Sequence, residues 1–248
     1  MQACAMTDVG RIRTHNQDFI YSSSEPVGSL PNLFIVADGM GGHKAGDYAS
    51  RFVVEQLTNY VRQSKSEEVV PMLREGIRDI NRQLYRRSVN SEELSGMGTT
   101  LVAATVVGKT LYVANVGDSR LYLLRDHVVS QVTRDHSYVE EMVALGQMVR
   151  GSKDYQEKKN IITRAIGVDE EIHADFFSVD LMPGDYFLMC SDGLSNMVSE
   201  DEMGWLIYED NALEMKVGNL IAAANDHGGK DNIAAILVEP QISEVNPC

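Results

Sequence analysis

The sequence predicts an α+β fold, a four-layer α-β-β-α sandwich of two antiparallel sheets flanked by helices. Three observations lead there. The hydrophobic period changes along the chain, from short β-like runs to two long helical stretches, then to period-two segments, then to helices and a last strand. That order is not the steady β-α-β-α alternation of a doubly wound parallel sheet. At 248 residues, 44% hydrophobic and 23% charged, one domain over 1–248 has the apolar content for a large core, and chains of this size bury about three quarters of their unfolded surface.

The elements follow in order. Residues 2–8 alternate loosely and DFIYSSS at 18–24 is β-like, so both are expected strands. The apolar run 33–38 is short enough for a buried strand. A helix is expected over 46–63, where Ala49, Phe52, Val53, Leu57, Tyr60 and Val61 share a face. A second is expected over 66–90 through Leu73, Ile77, Ile80 and Leu84, with Pro71 tolerated only in its first turn. Segments 99–107, 110–116, 120–125 and 127–133 read as consecutive antiparallel strands, with turns at Gly108-Lys109 and Asp126. A helix over 134–145 precedes an aperiodic, charged stretch at 146–160, expected as a long surface loop. Strands within 172–181 and 185–191 flank the turn Met182-Pro183-Gly184-Asp185. Helices at 200–209 and 212–226 lead to a closing strand at 232–239.

Charge and cysteine content exclude several functions. Lys and Arg number 22 against 36 Asp and Glu, a net charge of −14. Such a chain repels nucleic-acid backbones and anionic membrane surfaces, so neither is an expected partner. An anionic substrate then needs a local positive centre, which metal ions supply. Cys4, Cys190 and Cys248 form no C-x-x-C pair, which suits a reduced, cytoplasmic setting. The opening MQACAMTDVGR has no signal-peptide pattern. No apolar run reaches the roughly 18 residues of a membrane span.

The chemistry concentrates where apolar strands begin or end. Asp38 ends 33–38, Asp118 follows 110–116, Asp192 follows 185–191, Asp231 precedes 232–239 and Asp18 opens 18–24. One such Asp is a turn former. Five at strand ends, brought to one end of antiparallel sheets, would repel one another unless cations sit among them. All-oxygen ligands select hard cations such as Mg²⁺ or Mn²⁺. Arg13, five residues before Asp18, has the fork geometry to hold a phosphate bidentately beside such a cluster. Gly39-Met40-Gly41-Gly42 lacks the Lys-Ser/Thr of a P-loop, so it is expected as a turn whose backbone carbonyl reaches a metal. The C-x5-R loop of cysteine phosphatases, G-x-S-x-G and H-E-x-x-H are all absent, and His136 is expected to cap or pack.

The ordered series of short motifs resembles the metal-dependent Ser/Thr protein phosphatases of type 2C, in their compact bacterial form. The series runs Thr7-Asp8-Val9-Gly10, Arg13 with Asn16-Gln17-Asp18, Val36-Ala37-Asp38-Gly39-Met40-Gly41-Gly42 and Gly98-Thr99-Thr100. It continues through Asn115-Val116-Gly117-Asp118-Ser119-Arg120, Thr133-Arg134-Asp135-His136-Ser137 and Thr163-Arg164-Ala165-Ile166-Gly167 to Ser191-Asp192-Gly193-Leu194 and Asp231-Asn232. The resemblance implies that Asp38 bridges two Mn²⁺ or Mg²⁺ ions and that Gly39 offers its carbonyl to one of them. It implies that Asp192 and Asp231 ligate the other, that Asp18 holds metal-bound water, and that Arg13 binds the substrate phosphate. Asp118 with Asp192 would form a third-metal site, and 146–160 would be the variable flap. Gln17 stands where some members have Glu, and Met40 where animal members have His. Met40 has no proton to give a leaving group; metal-bound water is the expected donor rather than His43. The implied protein is a monomer that hydrolyses phosphoserine and phosphothreonine on proteins, opposing a Ser/Thr protein kinase in signalling. A catalytically silent binding module on the same fold is disfavoured by the intact aspartates. A Ca²⁺-binding protein is disfavoured by the missing EF-hand series.

Overall fold

Two sheets share one apolar seam in this protein, for which a computed structural model describes residues 1–42 and 45–242. His43 and Cys248 lie outside the described residues. The strands are β1 (Gln2–Asp8), β2 (Asp18–Ser23), β3 (Leu33–Met40), β4 (Gly98–Thr99), β5 (Leu101–Val107), β6 (Thr110–Val116), β7 (Arg120–Arg125), β8 (Val128–Gln131), β9 (Asp175–Asp180), β10 (Tyr186–Cys190) and β11 (Ile233–Glu239). The helices are α1 (Ala45–Gln63), α2 (Val69–Val89), α3 (Tyr138–Ala144), α4 (Lys153–Lys158), α5 (Asp192–Ser195), α6 (Glu200–Tyr208) and α7 (Leu213–Asp226), with a 3₁₀ turn at Glu92–Leu94. One sheet runs β1-β11-β10-β7-β8; the other runs β2-β3-β5-β6-β9, with β4 on β3. The strand pairings are antiparallel, as the sequence predicts.

Burial on both faces explains why the strands read as unbroken apolar runs. Phe34 and Val36 of β3 point between the sheets, against Phe187 and Met189 of β10 and Ala234, Ile236 and Val238 of β11. Leu33, Ile35 and Ala37 point the other way, onto Val53, Leu57 and Val61 of α1 and Leu73, Ile77 and Ile80 of α2. Ile233, Ala235 and Leu237 likewise meet Leu206 and Ile207 of α6 and Val217 and Leu220 of α7. The layers are therefore helix, sheet, sheet, helix. Phe34 and Phe187 meet edge to face across the seam, centroids 5.7 Å apart. Pro71 sits in the first turn of α2, where its missing N–H costs nothing. Among the described residues, no helix is long and apolar enough to cross a membrane.

The structure departs from the sequence reading in four places. β6 and β7 are not neighbours: the chain crosses between sheets at Gly117, whose φ of +100° turns it where a Cβ would lie 2.6 Å from the Thr100 side chain. The strand expected over 99–107 breaks at Thr100, whose N–H turns to the Asp38 carbonyl at 2.9 Å. The helix expected from 134 begins at Tyr138, because Ser137 is its N-cap and His136 exchanges bonds with Gly117 and Thr163 instead. The 146–160 loop contains α4, capped by Ser152, and the four-residue α5 is too short to show a period.

Phe187 is fully buried at the centre of the seam. Phe187→Ala is expected to destabilise the chain by about 3–5 kcal/mol, read as a lowered denaturation midpoint; a loss below about 1 kcal/mol would place the main core elsewhere.

Candidate active site

Backbone pairing brings the aspartates together. Asp18 and Asp38 are cross-strand partners at the end of β2 and β3. Asp192 begins α5 directly after β10, Asp231 stands before β11, and Asp118 lies in the crossover from β6 to β7. Both sheets therefore deliver carboxylates to one end of the sandwich. The five feel one another: Asp18, Asp118, Asp192 and Asp231 all act electrostatically on Asp38.

Side chains and backbone around them fix this geometry. The Asp38 N–H donates to Thr100 Oγ1 at 2.9 Å, and its carbonyl accepts from the Thr99 hydroxyl and the Thr100 N–H. The Gly39 N–H donates to the Gln17 carbonyl at 3.1 Å, and Gly39 and Met40 pair with β4 as the end of β3, so the turn expected over Gly39-Met40-Gly41-Gly42 starts only after Met40. Ser191 couples the two sheets: its hydroxyl donates to Asp18 Oδ2 at 2.7 Å and accepts from the Ala234 N–H at 2.9 Å. Asn232 clamps the loop between β1 and β2: Oδ1 accepts from the Gln17 N–H, and Nδ2 donates to the Val9 and His15 carbonyls, each at 2.9 Å. Gly193 allows α5 to sit against this clamp, since a Cβ there would lie 1.9 Å from the Asn232 carbonyl oxygen. His136 is buried; its Nδ1 accepts from the Gly117 N–H at 3.1 Å, steadying the turn that carries Asp118, and its Nε2 faces Asp175 at 3.2 Å. It packs, as expected, but does not cap.

Arg13 stands beside the carboxylate cluster, where the sequence reading puts it. Its guanidinium donates to Asp231 Oδ2 at 2.8 Å and is half exposed at the lip of the site. A cavity of about 360 Å³ opens beside it, lined by Ile12, His15, Gln17, Gly41 and Gly42. On the opposite side, a cavity of about 200 Å³ is lined by Asp118, Asp192 and Asn196 together with Tyr155, Lys159 and Asn160 of 146–160. That segment is tied down by Glu140, which accepts from Tyr155 Oη at 2.7 Å and from Arg150. Ser191, Asn232 and Glu140 were not singled out in the sequence. The first two stand inside quoted motifs, and nothing in the sequence marks Glu140.

The donor set fits hard divalent cations. No three His, Cys, Asp or Glu side chains among the described residues are closed into a ready metal cage. Asp231 is turned onto Arg13, one Asp18 oxygen onto Ser191 and one Asp192 oxygen onto Asn196 Nδ2. Yet Asp18 Oδ1, Asp118 Oδ1 and Asp192 Oδ1 are buried with no hydrogen-bond partner. Buried acceptors without partners are costly, and hard cations relieve such oxygens by taking them as ligands. Burial, reinforced by Asp192 and Asp231, raises Asp18 to about 7 against the relief from Ser191. Burial and Asp192 raise Asp118 to about 8, and burial and Asp231 raise Asp192 to about 6.

These shifts fix a pH dependence. Carboxylates raised in the folded state hold protons that the unfolded chain has released, so stability falls as pH rises from about 4 to about 8. In chelator-treated buffer, the thermal midpoint is expected to fall by a few degrees between pH 5.5 and 8. Added Mn²⁺ should raise it more at pH 8 than at pH 5.5, because ligands bind deprotonated. A midpoint independent of Mn²⁺ at both pH values would contradict a cation site.

Known proteins share this fold. A family profile described as Protein phosphatase 2C matches residues 11–237. The serine/threonine phosphatase stp of Listeria monocytogenes is 40% identical over 252 residues, covering 98% of each chain. The solved serine/threonine phosphatase of S. agalactiae aligns with a TM-score of 0.89 and 36% identity, over 95% of this chain and 98% of that one. The catalytic domain of the serine/threonine protein phosphatase PstP, solved in complex with 2 manganese ions, aligns at 0.82 with 30% identity, over 95% and 96%. A family match over residues 11–237, with a relative 40% identical over nearly the whole length, means that the chain belongs to the protein phosphatase 2C family of serine/threonine phosphatases, in its compact bacterial form.

Proposed function

We propose that the chain hydrolyses phosphoserine and phosphothreonine on proteins, in a cytoplasmic signalling pathway where a Ser/Thr protein kinase supplies the phosphoproteins, and that it acts as a monomeric single domain over 1–248. One observation carries the reaction: buried, partnerless carboxylate oxygens from both sheets converge beside an exposed guanidinium. In this reading Asp38, the Gly39 carbonyl, Asp192 and Asp231 would hold two Mn²⁺ or Mg²⁺ ions. Asp18 lies behind them and Asp118 with Asp192 offers a third site. When bound, the ions acidify a water and offset the charge of the phosphoryl group. That the similar PstP catalytic domain was solved with 2 manganese ions supports the choice of cation.

The chain's own side chains do the rest. Ser191 and Asn196 each hold one oxygen of Asp18 and Asp192, leaving the other free for a ligand. Arg13 spans one cavity lip, half exposed, and its planar fork would fit two oxygens of the substrate phosphate. Met40 supplies no proton, so the serine leaving group depends on solvent within the site. The segment 146–160 acts as a flap, held in place through Glu140. Burial opposes ionisation of Glu140, but its Tyr155 and Arg150 bonds outweigh this and keep it charged.

Chelation and two variants test the assignment with a phosphothreonine peptide. Activity should vanish in EDTA and return with Mn²⁺, and Asp38→Asn should lose at least about a hundredfold in turnover. Full activity of the chelated protein would end the reading. Arg13→Ala should raise KM roughly tenfold, the worth of a hydrogen bond to a charged group, while Mn²⁺ affinity changes little. Unchanged kinetics would return Arg13 to a solvated lip charge.

The flap is tested separately by Glu140→Ala. Proteolysis within 146–160 should accelerate several-fold and the ranking of phosphopeptides should change, with p-nitrophenyl phosphate turnover kept within about threefold. Equal losses on both substrates would show that Glu140 supports the chemistry rather than the flap.

A further inference from the structure

A groove of about 630 Å³ lies beside the outer edge of β8, away from the carboxylates. Its walls are Val128 and Val129 of β8 and one face of α6, where Asp201, Gly204, Trp205 and Tyr208 recur at helical spacing. Gly204 keeps this wall open; a Cβ there would lie 3.1 Å from Val129 Cγ2. Trp205 is 65% exposed and Val128 61% exposed, although both are large and apolar. Exposed Trp is rare on a surface with nothing to bind. β8 ends its sheet, so one row of its backbone N–H and C=O groups faces away from β7. Glu200, Asp201 and Glu209 line the groove, and no Lys or Arg does so among the described residues. The end of the groove is closed by the β7-β8 turn, where His127, at φ +64°, lies over Tyr208 with ring centroids 4.1 Å apart.

Shared lining residues relate the groove to the active-site end of the molecule. Glu200 also lines a second cavity of about 340 Å³, together with Arg120, Asp135, Glu140 and Tyr155. Arg120, Asp135 and Tyr155 in turn line the cavity that contains Asp118 and Asp192. The three cavities thus follow one another from Asp118 and Asp192, past Arg120, Arg134 and Arg150, to the acidic groove. We infer that the β8–α6 groove docks an extended, Lys/Arg-rich segment of the phosphoprotein substrate, which adds a strand to the β8 edge and sets a cation over Trp205. Charge selects the occupant: a basic segment complements three carboxylates around an exposed indole, whereas an acidic one is repelled. Strand addition supplies affinity that does not depend on sequence, and Trp205 with Asp201 and Glu209 supplies the preference. The identity of the occupant rests on the phosphatase reading; the existence of a basic-peptide site does not.

Trp205 is the only tryptophan in the chain, so it reports on the groove directly. The full chain is titrated with an unphosphorylated Arg-rich peptide and with a Glu-rich peptide of equal length. A saturable change in Trp205 fluorescence is expected with the first alone, weakened by salt and by the double change Asp201→Asn with Glu209→Gln. In parallel, kcat/KM is measured for phosphothreonine peptides with a basic or a neutral flank at a series of spacings. The basic flank is expected to raise kcat/KM about tenfold at the favoured spacing, through KM, from one cation–π and one ion-pair contact together. Trp205→Ala should abolish that gain and leave p-nitrophenyl phosphate turnover unchanged. No fluorescence response, or a flank effect that survives Trp205→Ala, would overturn the proposal. So would concentration-dependent dimerisation that shields Trp205, which would make a second copy the occupant. Peptide binding without turnover of any phosphoester would overturn the substrate assignment and the phosphatase reading together; turnover without flank dependence would overturn the groove alone.

Discussion

Mutual repulsion among buried carboxylates is the constraint on which this structure turns. Asp18, Asp38, Asp118, Asp192 and Asp231 meet at one end of a low-dielectric sandwich, where burial and neighbouring carboxylates raise the cost of ionising Asp18, Asp38, Asp118 and Asp192. No single strand supplies them; two sheets and a crossover must register to bring them together. A large apolar seam, from Phe34 and Phe187 through β11, holds that register against the repulsion. The polar groups beside the cluster each relieve one part of it: Ser191 at Asp18, Asn196 at Asp192, Arg13 at Asp231. The oxygens they leave free are the ones that cations of high charge density would take.

Much of this was legible in the sequence, for identifiable reasons. Strands such as 33–38 announce themselves because both faces are buried, and α1 and α2 because a single face is. Aspartates at strand ends stand out because a charge directly after an apolar run has no core role. Pairing was less legible. The 110–116 and 120–125 segments look like a hairpin, and only the φ of Gly117 sends the chain to the other sheet. Residues 134–137 look helical, yet their backbone bonds go to Gly117 and Thr163. The contact of Arg13 with Asp231 depends on a neighbour 218 residues away, and Glu140 gains its role only when Arg150 and Tyr155 fold back onto it.

Chemistry and recognition are separated in space. The carboxylates sit on strand ends fixed by both sheets, where small displacements would disturb every ligand. The flap and the β8–α6 groove sit on exposed elements that tolerate change in sequence without disturbing the core. Such a division lets one reaction centre serve different phosphoproteins, with selectivity set by surfaces that never touch the phosphate.

Calorimetric titration of the chelator-treated chain with Mn²⁺ near pH 6.5, repeated in buffers of different ionisation enthalpy, tests the carboxylate cluster most directly. If Asp18 and Asp118 hold protons until cations arrive, more than one ion should bind, and the apparent heat should vary with buffer because protons are released. Absence of binding, or binding with a heat independent of the buffer, would mean that these carboxylates are not the coupled cation ligands described above.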